Sequence, residues 1–123
     1  NKRLRVSKRQ QMINCLIGTG IPYADNGHEN YLDEIDIISK NSCGLRRMGT
    51  ASLDLAFVAS GKLDGFWERN LNIWDVCSGV ILVKEAGGKI SLPNGEIWGT
   101  ESRDILATNT NIHEEMQNKL TLL

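Results

Sequence analysis

Between Asn72 and Glu85 the chain carries almost no polar face: Val76, Cys77, Val80, Ile81, Leu82 and Val83 fall on every side of a single helical register. A helix that is apolar all round has to be covered on several sides, so this run predicts the central helix of a layered domain. Gly87-Gly88 supplies its stop signal, and Asn72 with Asp75 stand at the N-cap and N3 spacing of a capping box at its start. An acid in that first turn also complements the positive end of the helix dipole.

Around this helix, strand and helix patterns alternate. Arg3 to Ser7 alternates polar and apolar residues, as an edge strand does, and Met12 to Ile17 reads as a buried strand closed by Gly18-Thr19-Gly20 and Pro22. Tyr31, Leu32, Ile35 and Ile38 recur at helical spacing within Glu29 to Lys40, which predicts an amphipathic helix with its acidic face in solvent. Leu45 to Met48 is a short strand candidate. The next helix opens at Gly49-Thr50-Ala51-Ser52, with Leu53, Ala56, Phe57 and Ser60 on one face and Gly61 as its stop. Strands are expected at Leu63 to Trp67, Lys89 to Leu92 and Asp104 to Thr108, and a last amphipathic helix runs to Leu120, capped by Thr110 or Asn111. This alternation with short connections predicts an α/β layered domain with a mixed, largely parallel sheet flanked by helices.

The 123 residues suffice for one core, so residues 1–123 are expected to form a single domain. Residues 1–10 are expected to be the tail of a strand from a preceding half, since the chain opens on Asn1 and reads as a piece of something larger. A net charge of −1 gives no general pull toward nucleic acid. The basic cluster Lys2, Arg3, Arg5, Lys8 and Arg9 has no interleaved aromatics to stack on bases, so no direct nucleic-acid partner is expected. No apolar stretch is long enough to cross a bilayer and no signal-peptide pattern opens the chain, so no membrane partner is expected. Cys15, Cys43 and Cys77 are an odd number without a C-x-x-C pair, which argues against a disulfide framework and a structural zinc site and suits a reducing cytoplasm. Cys15 and Cys77 lie in apolar runs and are expected to be buried. His28 and His113 lie in polar contexts, are expected to be solvent-exposed, and have no nucleophile nearby in sequence.

Three places could carry chemistry. Asp75 at a helix mouth can be a cap or a ligand of a hard cation, and spacing alone favours the cap. Gly49-Thr50-Ala51 joins a backbone open to close approach with a helix start whose N–H groups can face an anion, though taken alone an ordinary helix start with Thr50 or Ser52 as N-cap is the favoured reading. Glu68, an acid following a strand, reads by itself as solvated.

Taken together, these pieces resemble the carboxy-terminal half of the inositol monophosphatase family, most of all its bacterial SuhB-type members. The similarity begins at Leu4-Arg5-Val6-Ser7, passes through Thr19-Gly20-Ile21-Pro22 and strengthens at Arg47-Met48-Gly49-Thr50-Ala51-Ser52-Leu53-Asp54-Leu55-Ala56. It culminates in Trp74-Asp75 followed by Glu85-Ala86-Gly87-Gly88. The resemblance implies the second half of an αβαβα sandwich and an Mg²⁺-dependent phosphomonoesterase acting on inositol monophosphate or a similar sugar-alcohol phosphate. It implies that Asp75 is a metal ligand and contacts substrate. It further implies that Gly49, Thr50 and Ala51 line the substrate pocket and that Glu68 accepts hydrogen bonds from ring hydroxyls. The metal ions polarise the ester and activate water in such sites. It also implies a homodimer and, for SuhB-type relatives, protein partners in transcription complexes. The family's upstream Asp-Pro-x-Asp-Gly-Thr motif is missing: Leu63-Asp64-Gly65 echoes its end, but no Asp-Pro precedes it and Phe66 replaces the threonine. Asn72 stands where some members carry histidine, and Cys77 and Ser78 stand where alanines are common. The chain by itself is therefore expected to be inactive.

Overall fold

The computed structural model describes residues 4–20 and 31–122, so the expectations for Pro22 and His28 lie outside the described residues. After a 3-10 turn at Met12–Asn14 the chain forms β1 (Leu16–Thr19), α1 (Tyr31–Lys40), β2 (Gly44–Arg46), α2 (Ala51–Ala59), β3 (Gly65–Glu68), α3 (Ile73–Glu85), β4 (Lys89–Ser91), β5 (Ile105–Thr108) and α4 (His113–Thr121). The five strands make one mixed sheet in the order β2-β1-β3-β5-β4. The β1 strand pairs in parallel with β2 and β3, while β5 pairs antiparallel with β3 and β4.

Two apolar clusters lie on opposite sides of this sheet. One joins Leu55 and Val58 of α2 and Val76, Val80 and Val83 of α3 to Phe66, Ile105 and Ala107 of the sheet. The other joins Ile38 of α1 and Met116 and Leu120 of α4 to Ile17, Trp67 and Leu106. The three central strands β1, β3 and β5 are buried on both faces, which is why they read as short apolar runs rather than alternating ones.

The α2 and α3 helices pack unusually closely. A Cβ placed on Gly79 would lie 2.5 Å from Leu55 Cβ and 2.6 Å from Leu55 Cδ1, so only glycine admits the observed approach. The α3 helix is not covered all round. Val76, Gly79, Val80 and Val83 face inward, while Trp74 is 73% and Ile81 58% exposed, with Cys77 and Leu82 beside them. The expectation of a helix buried on several sides is corrected to one buried face, and Cys77 is exposed rather than buried, unlike Cys15.

Polar residues account for most other departures. On α2 the buried face is Ala51, Asp54, Leu55, Val58 and Ala59, not the face of Leu53 and Phe57. On α1, Leu32 points outward and Glu34 is buried, because Glu34 accepts hydrogen bonds from Trp67 Nε1 (2.9 Å) and Arg69 Nη2 (2.6 Å). Arg69 Nη1 bridges on to Asp104 at 2.9 Å, which ties α1 to the ends of β3 and β5. Residues 4–11 join no strand. They are pinned instead by Asp64, which accepts from Ser7 Oγ, from Arg9 Nη1 (3.2 Å) and from Leu16 N (2.7 Å), and by Asn109 Nδ2 donating to Arg9 O at 2.9 Å. Asp64 therefore holds chain segments together. Neither Thr110 nor Asn111 caps α4 through its side chain; Asn109 Oδ1 accepts from Ile112 N at 3.2 Å.

His113 is 1% exposed, not solvated. Its Nε2 lies 2.7 Å from Ser91 Oγ, and its Nδ1 lies 2.8 Å from Thr108 Oγ1. Because Ser91 Oγ donates to Leu92 O and Thr108 Oγ1 accepts from Thr110 N, Nε2 carries the proton and Nδ1 accepts. Burial, and secondarily the nearby Lys89 charge, push its pKa down to about 4.

Candidate functional site

The N-termini of α2 and α3 open side by side at one end of the sheet, next to the last residue of β3. Thr50 caps α2, its Oγ1 accepting from Leu53 N at 3.2 Å, and the preceding Gly49 takes φ +101°, a left-handed conformation that suits glycine. Across from it Asp75 sits in the first turn of α3, where its Oδ2 accepts from Asn72 N at 3.1 Å. The capping arrangement expected from spacing is thus present, and it engages one of the two carboxylate oxygens. Glu68 reaches between the two helix mouths from β3.

A cleft of about 420 Å³ collects Gly49, Thr50, Ala51, Glu68 and Asp75, with Trp74 on its wall. All five residues singled out from the sequence therefore meet in one place. A smaller recess of about 100 Å³ shares Gly49, Thr50, Ala51 and Glu68 and adds Gly20, Arg47 and Asp54. Glu68 is half-buried rather than simply solvated, and burial together with the Asp75 charge pushes its pKa up to about 7.

Sequence reasoning passed over Asp54. It lies on the buried face of α2, is 1% exposed, and its Oδ1 has no hydrogen-bond partner. Burial, then the neighbouring Glu68 charge, push its pKa up to about 7. The available signal was its position three residues after Ala51 and four before Val58, which places an acid on the apolar stripe of its helix.

Among the described residues no three His, Cys, Asp or Glu side chains gather closely enough to hold a metal ion. Asp75 fits one ligand position, with one oxygen already capping α3, and a hard divalent cation requires several further oxygens. Among the described residues the chain by itself does not complete such a set.

A parallel–antiparallel sheet between helix layers, with two helix mouths and a carboxylate pair converging on a polar cleft, defines an α/β domain with its candidate site at one end of the sheet. The chain belongs to the inositol monophosphatase family, which matches it over residues 1–121. Over 121 residues it is 43% identical to an inositol-1-monophosphatase of Caulobacter vibrioides, covering 97% of this chain and 47% of that protein. It is 45% identical over 112 residues to a Nus factor SuhB of Pseudomonas aeruginosa, covering 89% of this chain and 41% of that protein. The crystal structure of an extragenic suppressor protein suhB from Bartonella henselae superposes with a TM-score of 0.91 at 42% identity, covering 98% of this chain and 47% of that one. The chain thus spans just under half the length of the relatives it matches. Among the described residues no helix is long and apolar enough to cross a membrane.

Proposed function

We propose that this chain supplies the substrate-side wall of a phosphomonoesterase that hydrolyses inositol monophosphate or a similar sugar-alcohol phosphate within a longer protein. The observation that carries the proposal is the convergence of Gly49, Thr50, Ala51, Glu68 and Asp75 on one cleft. In this reading the first-turn N–H groups of α2 and the Thr50 region face the phosphate end, as helix N-termini favour anions. Glu68 accepts from the alcohol hydroxyls, and Asp75 gives its uncapped oxygen to Mg²⁺. The other metal ligands come from the part of the protein outside this chain. A cytoplasmic setting and a homodimer belong to the same proposal.

The test is phosphate release from myo-inositol 1-phosphate by the full-length protein with and without Mg²⁺. Asp75→Asn is expected to lower kcat/KM by at least about 100-fold, in line with the loss of a charge-stabilising group at a reacting centre. The 123-residue chain alone is expected to release none. Activity from the isolated chain, or an Asp75→Asn protein as fast as wild type, would refute the proposal.

A second reading has its own support, because several relatives are named Nus factors and α3 presents an open apolar face. Under it the protein acts as an interaction module in transcription complexes. The full-length Asp75→Asn protein then keeps its transcription partners in a pull-down while losing phosphatase activity.

A further inference from the structure

The recess behind the main cleft has a floor made by the absence of side chains. Gly18 and Gly20 are two residues apart at the end of β1, so their missing side chains leave a gap on one face of the sheet. Two carboxyls fill it. A Cβ on Gly18 would lie 2.6 Å from Asp54 Oδ1, and one on Gly20 would collide with the whole Glu68 carboxyl. Asp54 comes from α2 and Glu68 from β3, so two different elements deliver acids to one glycine-floored slot.

Burying an acid beside another acid without a compensating donor costs free energy unless something satisfies it. Asp64 and Glu34, the other buried acids described above, are satisfied by donors from the protein. Asp54 Oδ1 is not. Together with Glu68, Arg47 and Gly20, Asp54 lines a recess of about 100 Å³, room for roughly three waters. That volume is too small for a phosphate ester and suits one hydroxymethine edge of a ring held in the larger cleft.

We infer that Asp54 is a substrate-contacting specificity residue that accepts a hydrogen bond from a ring hydroxyl inserted beside Glu68, so that the pair reads the polyol end of the substrate. This rests on the phosphomonoesterase reading above. Asp54 lines the recess and not the larger cleft that holds Asp75, so its effect is expected on which alcohol is bound rather than on ester cleavage itself. A carboxyl pushed up toward neutrality can also donate, which lets the slot hold hydroxyls in either sense.

The experiment compares Asp54→Asn and Asp54→Ser in the full-length protein against two substrates, myo-inositol 1-phosphate and p-nitrophenyl phosphate, which has no hydroxyls. The expected result is KM for the inositol ester raised at least about tenfold in Asp54→Ser, whose shorter side chain withdraws the acceptor, and by less in Asp54→Asn, whose amide oxygen still accepts. The kcat for that ester and both constants for p-nitrophenyl phosphate should change less than about threefold. Melting of Asp54→Asn above pH 7 should match or exceed wild type, since the amide carries no charge to bury beside Glu68. An equal loss on both substrates, or none on either, overturns the inference while leaving the phosphatase reading intact. A wild-type protein that hydrolyses neither substrate overturns both.

Discussion

Lowering the pH should destabilise this domain through His113 by an amount that its surroundings fix. In the folded chain the ring is neutral, donating from Nε2 to Ser91 and accepting at Nδ1 from Thr108. Adding a proton at Nδ1 removes that acceptor and leaves the Thr108 hydroxyl hydrogen facing a donor in a site closed to water. The folded pKa is about 4 against an unfolded value of 6.5. Because the folded value is depressed, the unfolded chain binds the proton first. The stabilisation is complete above pH 6.5, falls as pH drops through the interval, and is exhausted below about pH 4. At ~1.36 kcal/mol per pH unit the whole interval is worth about 3 kcal/mol, most of it lost by pH 4.5. Asp54 and Glu68, both pushed up to about 7, work in the opposite direction over an overlapping range, since their folded forms hold protons that the unfolded forms release. Wild type alone therefore cannot isolate the effect. The assay is urea unfolding of wild type and His113→Gln at pH 7.5 and 4.5, where the acids cancel in the difference. Wild type should lose about 2.5 kcal/mol more than the variant between the two pH values. Parallel losses would refute the assignment of a buried neutral imidazole, as would an NMR signature of the Nδ1–H tautomer.

Two further outcomes follow from the packing. Gly79→Ala should lower the urea midpoint, because overpacking against Leu55 costs ~1–3 kcal/mol and outweighs the ~1 kcal/mol that alanine adds to helix propensity. Glu34→Ala should cost about 3 kcal/mol in thermal unfolding, since it strands the Trp67 indole N–H and half of the Arg69 guanidinium pairing.

The alternation of elements was legible in the sequence because the central strands β1, β3 and β5 are short apolar runs and α2 and α3 each carry a glycine stop and a recognisable start. The α3 boundaries at Ile73 and Glu85 follow from Asn72, Asp75 and Gly87-Gly88. The misjudged positions were polar residues whose partners lie far along the chain. Glu34 turns inward for Arg69, 35 residues on, and His113 is buried by a serine 22 residues earlier. Periodicity treats such residues as outward-facing, because it sees hydropathy and not hydrogen bonding. Asp54 differs: its place on the apolar stripe of α2 was visible in the spacing, but among the described residues its Oδ1 has no partner that would explain an acid there. The candidate cleft was legible as five separate residues, but nothing in their spacing disclosed the recess behind them. That recess brings Gly20, Arg47, Asp54 and Glu68 together from different parts of the chain.

Gly79 sits one helical turn beyond Asp75, and Leu55, its neighbour across the gap, sits one turn beyond Ala51. The tightest contact between α2 and α3 therefore lies just below the two helix mouths, where it acts as a spacer of fixed width. A side chain at position 79 would push the mouths apart without touching anything that binds there. The span between the anion-facing turn of one helix and the acidic turn of the other is thus set by the absence of a methyl group. A change in ligand size could be accommodated at this position while every residue lining the cleft stayed the same.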